Sequence, residues 1–184
     1  MISGTLRIPA VVLAAVLLHA TADPRRAGAQ EPQQNASPTI PAKWDVQATH
    51  GPTTAVEFET SEGTWMNLDV SPDGRTIVFD MLGDIYTMAV SGGRATLILG
   101  GTAYESMPRF SPDGRRIAFT SDRDGLENIW TSTVSGGDLR QISKERERQV
   151  SNPAWTPDGQ YIVARKHFRN TRSLGAGEMW MYHI

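Results

Sequence analysis

Side chains that could do chemistry are sparse in this sequence, and they form no recognisable catalytic set. The four histidines, His19, His50, His167 and His183, make no His-x-His or His-Glu-x-x-His pair, so the usual zinc ligand patterns are absent. The chain has no cysteine, which excludes disulfides, thiolate metal ligands and a cysteine nucleophile. It also lacks the Gly-x-Ser-x-Gly elbow of many serine hydrolases. We therefore predict no catalytic residue, no metal site and no cofactor within this chain.

One polar segment, residues 166–178, is a candidate binding loop. It combines His167, Arg169 and Arg172 with Glu178, and glycines close it before the next predicted strand. Guanidinium groups pair well with carboxylates, so one interpretation is a contact surface for an attached domain, an anionic peptide or another anionic ligand. The alternative interpretation is a solvated basic loop that binds nothing.

A second candidate segment, Asp122-Arg123-Asp124-Gly125 followed by Glu127, brings several carboxylates close together. Such a cluster suggests calcium, but the further acidic or amide positions of an EF-hand loop are absent. A hairpin turn accounts better for the pattern, because Asp and Gly favour turn conformations. We keep Asp122 and Arg123 as candidate binding residues on this connection.

A repeated turn indicates which elements must position these segments. Ser71-Pro72-Asp73-Gly74 recurs identically at residues 111–114 and nearly identically at 156–159, giving spacings of 40 and 45 residues (71 to 111 and 111 to 156). Pro fixes φ at the start of the turn, and Gly supplies the left-handed conformation that a hairpin turn of this type requires. A period of this length is typical of propeller arrays.

Apolar positions align between the three repeats on both faces of the predicted strands, as expected for sheets stacked between neighbouring blades. With a glycine-marked turn before a fourth strand, each period reads as the four-stranded blade of a β-propeller. The aligned residues are Val70, Phe110 and Trp155 before the turn, Ile77, Ile117 and Ile162 after it, Ile85-Tyr86, Ile129-Trp130 and Met179-Trp180 in the third strand, and Gly92-Gly93 and Gly136-Gly137 at the second turn.

The predicted fold class is therefore all-β, an incomplete propeller of about three blades over residues 63–101, 102–145 and 146–184. The third repeat stops within its third strand, whereas propellers usually close with four or more blades. We expect a fragment of a longer protein or a chain that assembles with others. An additional strand at residues 56–60 alternates apolar and acidic side chains, so it is expected to be half-buried. It is expected either to complete the last blade of the propeller or to form an edge strand on the first blade.

The N-terminus has the pattern of a secretory signal peptide. Arg7 precedes an apolar run over residues 8–18, and small residues follow with possible cleavage after Ala22 or Ala29. We assign the signal peptide to residues 1–22 and expect a bacterial protein that is periplasmic or secreted, with no membrane span after cleavage.

Residues 23–43 are polar and proline-rich, which predicts a disordered linker ahead of an ordered part at 44–184. The formal net charge of −2 gives no indication of a nucleic-acid partner.

The spaced elements within residues 111–137, Ser-Pro-Asp-Gly-Arg, Ile-Ala-Phe, Ser-Asp-Arg-Asp-Gly, Ile-Trp and Gly-Gly, resemble the repeat of TolB-type (WD-like) propellers. The resemblance extends over residues 63–184 and implies a six-bladed propeller. Residues 43–46, 49–52, 164–168 and 173–180 are in addition similar to the N-terminal propeller of large secreted proteins of the amidohydrolase family. That likeness implies that further blades and a metal-dependent catalytic domain follow in the same polypeptide.

Strand alternation divides the connections between two ends of the blades. The Pro-Asp-Gly and Gly-Gly turns share one end, and connections of variable length share the other, where function usually concentrates. We interpret the mixed-charge run at residues 145–148 on the variable end as a solvated connection.

Three functions remain open. The leading hypothesis is an exported, non-catalytic propeller module, the N-terminal fragment of a larger periplasmic hydrolase of the amidohydrolase type, serving domain or protein interaction or substrate access. The alternatives are a TolB-like binding protein of the cell envelope, with protein or peptide partners, and a propeller that gates peptide entry to a serine peptidase domain. Whether the whole protein is an enzyme is not decided by these residues.

Overall fold

The computed structural model describes residues 2–9, 44–169 and 176–184, and all regular structure in these ranges is β-strand. No helix long and apolar enough to cross a membrane occurs among them. Three antiparallel meander sheets follow one another along the chain, which confirms the prediction of an all-β repeat. Their strands are β3 (Leu68–Val70), β4 (Thr76–Met81), β5 (Asp84–Ala89) and β6 (Thr96–Leu99) in blade one; β7 (Glu105–Phe110), β8 (Arg116–Ser121), β9 (Asn128–Thr133) and β10 (Arg140–Gln141) in blade two; and β11 (Val150–Trp155), β12 (Tyr161–His167) and β13 (Gly177–His183) in blade three.

The repeated turns have the predicted conformation and form a row. Gly74, Gly114 and Gly159 have φ values of 70°, 69° and 70°. A Cβ built on Gly114 would lie 3.3 Å from Cδ of Pro72, so each turn sits against the turn of the preceding blade. Within the second turn, the Ser111 hydroxyl donates to Asp113 and holds the pKa of that carboxyl below its ordinary value, aided by Arg115 N–H. The turn aspartate is therefore part of the scaffold.

Side chains from neighbouring sheets interdigitate to form the core. Val78, Ile85 and Leu99 of blade one pack against Phe110, Ile117 and Phe119 of blade two. A second cluster joins blades two and three, and consists of Ala118, Ile129, Val150, Ile162 and Ala164. The first strands β3, β7 and β11 contact one another in turn, so the sheets are arranged side by side like the blades of a propeller.

The face of blade one that would meet a preceding blade, its front face, is open in the described part of the chain. Phe79 and Tyr86 are each 2% exposed, yet Leu68 and Val70 are 55% and 44% exposed. Val70 is aligned with Phe110 and Trp155, a position expected to be buried between blades, and this expectation is wrong for Val70, because no described element covers the front face. A groove of about 330 Å³ opens there, lined in part by Met66, Ile77 and Met88.

The face of blade three that would meet a following blade, its rear face, is likewise not covered by any described residue. Met179 and Met181 of β13 are 66% and 59% exposed. Positions that are buried between blades one and two thus lie at the surface at both ends of the array.

A separate two-stranded sheet precedes the blades. β2 (Thr53–Thr60) pairs with β1 (Ile2–Pro9) along its whole length. The predicted strand at residues 56–60 is confirmed, and it alternates between partly buried Phe58 and Thr60 and exposed acidic residues, although Val56 is 39% exposed. β1 falls within the predicted signal peptide, which stays a prediction, and the linker at 23–43 lies outside the described residues.

Candidate functional site

The connections of variable length are joined by hydrogen bonds into one surface, at the end of the blades opposite the Pro-Asp-Gly turns. Glu105 N–H donates to the Gly83 carbonyl at 2.8 Å, which ties two connections of the first two blades. Val150 N–H donates to the Glu127 carbonyl at 2.9 Å, which ties blade three to blade two. We call this surface the loop face; its connections are residues 82–83, 100–104, 122–127, 142–149 and 168–169.

The two candidate residues of blade two hold the loop face together. Arg123 forms an ion pair with Glu105, whose side chain is 1% exposed, and its guanidinium carbon lies 5.3 Å from the centroid of the Trp130 ring. Burial lowers the pKa of Arg123. Asp122 Oδ1 accepts a hydrogen bond of 2.8 Å from Tyr104 N–H. The charge of Arg123 is thus balanced internally.

The segment considered as a calcium loop is a hairpin connection. Gly125 has a φ of 99°, and its N–H donates to the Asp122 carbonyl at 2.7 Å. The Asp124 carboxylate accepts hydrogen bonds from the side-chain amides of Gln141 and Asn128. Within the described ranges, no group of three or more acidic, histidine or cysteine side chains is arranged to hold a metal ion.

His167 lies at the junction of blades two and three. Its Nε2 is 2.8 Å from the Ser151 hydroxyl. The neighbouring Glu127 has its pKa raised by burial, an effect that the charge of His167 opposes and the charge of Asp122 reinforces. Ser151 is only 4% exposed, so this hydroxyl is not placed to attack a substrate. The pair serves to hold two strand ends together.

The other described candidates of blade three are paired with neighbours. Arg169 Nη1 lies 3.0 Å from Glu147 Oε2, with both side chains over 70% exposed. Glu178 Oε2 accepts from Trp180 Nε1 at 2.9 Å and lies 3.1 Å from Arg148 Nη2. The Trp180 hydrogen bond, followed by that of Arg148, lowers the pKa of Glu178. These groups compensate one another's charge on the loop face.

The structure divides the predicted binding residues between two blades. Those in blade two and those in blade three sit on the same face but do not converge on one ligand position, because each group has its own internal partner. The assignments are Asp122 and Arg123 in blade two, His167, Arg169 and Glu178 in blade three, and Arg172 outside the described residues.

Two residues that were not predicted line a cavity on the loop face. Trp44 stacks on His50 with ring centroids 3.7 Å apart and an interplanar angle of 13°. Together with Arg146 it borders a cavity of about 290 Å³, whose other lining residues are Asp124, Gly125 and Leu126. The mixed charge at residues 145–148 pointed only to a solvated connection. The signal in the sequence was Trp44 itself, a large aromatic residue at the first position of the part predicted to be ordered.

Comparisons with known proteins identify the fold family. Residues 52–182 match the family described as the tricorn protease N-terminal β-propeller domain, which is well over half of the chain. Among solved structures, the putative TolB from Agrobacterium tumefaciens superimposes with a TM-score of 0.51 at 23% identity, covering 73% of this chain and 58% of that one. This likeness shows the fold, and it confirms the prediction of a TolB-like propeller.

Curated relatives connect the chain with peptidases. Tricorn protease homolog 1 of Streptomyces coelicolor is 30% identical over 92 residues, covering 50% of this chain and 9% of the relative. Dipeptidyl-peptidase 5 of Porphyromonas gingivalis is 28% identical over 158 residues, covering 70% of this chain and 23% of the relative. The chain therefore spans less than a quarter of the length of these two proteins. Such relatives favour the peptidase alternative and lend no support to an amidohydrolase domain.

Proposed function

Because this chain belongs to the family of tricorn protease N-terminal β-propeller domains, we propose that it is the non-catalytic propeller part of a larger peptidase, where it controls access of peptides to the catalytic domain. The observation that carries the proposal is the family match over residues 52–182. Catalysis itself is assigned to another domain of the same polypeptide.

The uncovered faces at both ends of the array support a larger assembly. The front face of blade one and the rear face of blade three expose apolar side chains such as Leu68 and Met179. Equivalent positions are buried wherever two blades meet. We propose that further blades of the same polypeptide cover these faces and complete the ring.

The loop face is the surface proposed to meet the peptide or the attached domain. Its connections vary in length between blades, whereas the opposite end consists of stereotyped turns. The buried ion pair between Arg123 and Glu105 holds the blade-two connection against the start of β7, so this part of the loop face can act as a shaped rim. Because a signal peptide is predicted at the N-terminus, we also propose that the protein is exported from the bacterial cytoplasm.

The test is a comparison of peptide hydrolysis by the native full-length polypeptide and by the same polypeptide with residues 44–184 deleted. A gating propeller should make hydrolysis depend on peptide length, with long peptides cleaved more slowly than chromogenic dipeptides. Deletion should reduce that length dependence while dipeptide cleavage persists. Absence of any peptidase activity in the native polypeptide would contradict the proposal. Purified catalytic domain alone serves as the control for a deletion that misfolds.

A TolB-like binding function is the second candidate, favoured by the structural superposition over 73% of the chain. It predicts stable capture of a protein or peptide without hydrolysis. Mass spectrometry of the ligand after incubation distinguishes the two functions, since a gated peptidase converts the peptide and a binding protein releases it intact.

A further inference from the structure

Two cavities lie at the end of the blades that carries the Pro-Asp-Gly turns, one at each junction between blades. Each is bordered by the turns of two successive blades and by the aromatic residue that enters the later turn. Turn cavity one, of about 230 Å³, has Asp73, Asp113 and Phe110 in its wall. Turn cavity two, of about 420 Å³, has Asp113, Asp158 and Trp155. The repeat therefore builds the same kind of space twice, with two carboxylates and one aromatic ring.

The turn aspartates use only one carboxylate oxygen for the turn itself. Asp158 Oδ1 accepts hydrogen bonds from the Thr156 hydroxyl and from Gln160 N–H, and Asp113 Oδ1 is engaged by its own turn in the same way. The Thr156 hydroxyl, followed by Gln160 N–H, holds the pKa of Asp158 below its ordinary value, so this carboxyl is ionised at neutral pH. The hydrogen bonds described for both aspartates end on Oδ1, which leaves Oδ2 able to accept from a ligand.

The aspartate of the third repeat differs from its counterparts in the charge beside it. In the first two repeats an arginine follows the turn glycine and interacts with the turn aspartate, as Arg75 does with Asp73 and Arg115 with Asp113. Gln160 takes this position in the third repeat, so Asp158 has no cation from its own turn. Turn cavity two is therefore more negative than turn cavity one.

Arg116 is the one cation among the described residues that border turn cavity two, and its charge is balanced elsewhere. Its Nη1 lies 2.6 Å from Asp138 Oδ2. Its Nη2 donates to the Asp138 carbonyl at 2.8 Å and to the Thr131 hydroxyl at 3.1 Å. The guanidinium is thus held by strands β8 and β9 and the turn after them, and the negative charge of the two aspartates is left for a ligand.

Trp155 contributes an anchored aromatic surface to the same space. Its Nε1 donates to the Arg109 carbonyl at 3.1 Å, which fixes the indole against the first strand of blade two. Trp155 is half-buried, whereas Phe110, its counterpart in turn cavity one, is only 7% exposed. A cation is attracted to the face of an aromatic ring, and most strongly to that of tryptophan.

This combination suits an organic ammonium ion better than a metal ion. Ca²⁺ takes six to eight oxygen ligands, and an indole supplies none. Among residues 2–9, 44–169 and 176–184, no three acidic, histidine or cysteine side chains are grouped to hold a metal ion. A primary ammonium group has three donors, and it combines hydrogen bonds to carboxylates with attraction to an aromatic face.

We propose that turn cavity two binds the ammonium group of a small aliphatic amine, such as a diamine or polyamine. The ammonium group donates to Oδ2 of Asp113 and of Asp158, and its first methylene groups lie against Trp155. The cavity is at the opposite end of the blades from the loop face. It is therefore a site in addition to the proposed control of peptide access, and it does not depend on that function.

The test is isothermal titration calorimetry of the full chain with cadaverine, and with the uncharged diol of the same chain length. We expect the diol to bind at least about tenfold more weakly, because hydrogen bonds between charged groups are the stronger ones. Asp158→Asn should weaken cadaverine binding about tenfold, since the amide oxygen can keep the hydrogen bonds of the turn while the charge is lost. Trp155→Phe should weaken it severalfold, because phenyl attracts a cation less than indole does.

Asp73→Asn is the matched control, since it makes the same change in the same turn of the first repeat, outside turn cavity two. It should change cadaverine binding less than twofold. Equal binding of diamine and diol, no binding of cadaverine, or equal losses in the two asparagine variants would overturn the proposal. So would calcium chloride that binds with the same dependence on Asp158, because the site would then belong to a metal ion. Far-UV circular dichroism of each variant checks its fold, and Phe already occupies the position of Trp155 in the second repeat.

Discussion

Two glycines that look interchangeable in the aligned repeats have different surroundings. Gly92 and Gly136 mark the second turn of blades one and two, with φ values of 89° and 83°. A Cβ on Gly92 would meet no atom within 4 Å, but a Cβ on Gly136 would lie 2.0 Å from the carbonyl oxygen of Ile98 in blade one. Gly136 therefore serves both its turn and the junction between blades.

Replacing each glycine by alanine separates these two roles. Gly92→Ala should lower the free energy of unfolding by about 1–2 kcal/mol, from the left-handed backbone alone. Gly136→Ala should lower it by about 3 kcal/mol or more, since the added methyl also collides with backbone. Chemical denaturation followed by tryptophan fluorescence measures both. Equal losses would contradict the role of Gly136 in the junction.

The candidate binding residues show how far side-chain chemistry can be inferred from sequence. His167 and Arg123 were selected by residue type, and both lie on the loop face. Whether a charge is free depends on partners distant in sequence, such as Glu147 for Arg169, 22 positions away. Residue type and local spacing carry no information on such pairs, so the internal pairing of Arg169 could not be predicted.

At the scale of strands, a buried carboxylate joins the first two blades. Asp80 of β4 is 5% exposed and accepts hydrogen bonds from Asn67 N–H, Asn67 Nδ2 and Met107 N–H at 2.7, 2.9 and 2.7 Å. Met107 belongs to β7 and has a φ of 57°, and the pairing of β7 with β8 is irregular at this position. The Asp80 carboxylate therefore accepts a hydrogen bond from an N–H that lies outside the regular strand pairing. Thr120 occupies the equivalent position in β8, and its hydroxyl has no hydrogen-bond partner among the described atoms.

This contrast gives a matched pair of substitutions. Asp80→Ala should lower the free energy of unfolding by about 3 kcal/mol, because it leaves buried N–H groups without an acceptor. Thr120→Val should change it by less than about 0.5 kcal/mol, since an unpaired buried hydroxyl is replaced by a methyl of the same shape. Thermal unfolding followed by circular dichroism measures both. A similar loss in the two variants would show that Asp80 does not join the blades.

The strands could be predicted because the three aligned repeats share one pattern, so that a strand assigned in one repeat supports the strands assigned in the other two. The Pro-Asp-Gly turns set the register, and apolar alternation placed the strands on either side of them. The exposure of Val70 and Val56 was not predictable in the same way. Whether a side chain is buried depends on which element packs against that face of the sheet. The local alternation of apolar and polar residues shows only the face to which the side chain points.

At the scale of the whole molecule, the array presents complementary apolar faces at its two ends. Leu68 and Val70 are exposed on blade one, and Met179 and Met181 on blade three. Within the array, surfaces of these two kinds pack against each other at both junctions. Two chains can therefore associate head to tail, by the contact that the blades already use.

We expect the chain on its own to form dimers or larger species at micromolar concentration, as measured by multi-angle light scattering. The double substitution Met179→Lys with Met181→Lys should shift the distribution towards monomer, because it places charge on the rear face. Val90→Lys, an exposed apolar position on a turn outside both faces, is the control and should have no effect. A monomeric unsubstituted chain would contradict the expectation.

The row of stacked turns has a consequence for how such proteins change over evolutionary time. The Gly114 turn packs on Pro72 and the Gly159 turn on Pro112, and we call this glycine–proline contact between neighbouring turns a joint. Each period therefore contains both the glycine and the proline that such joints need. Duplication or loss of one period of about 40 residues in the gene then leaves every remaining joint intact. Blade number can change by recombination between repeats, while insertions at the opposite end diversify one blade at a time.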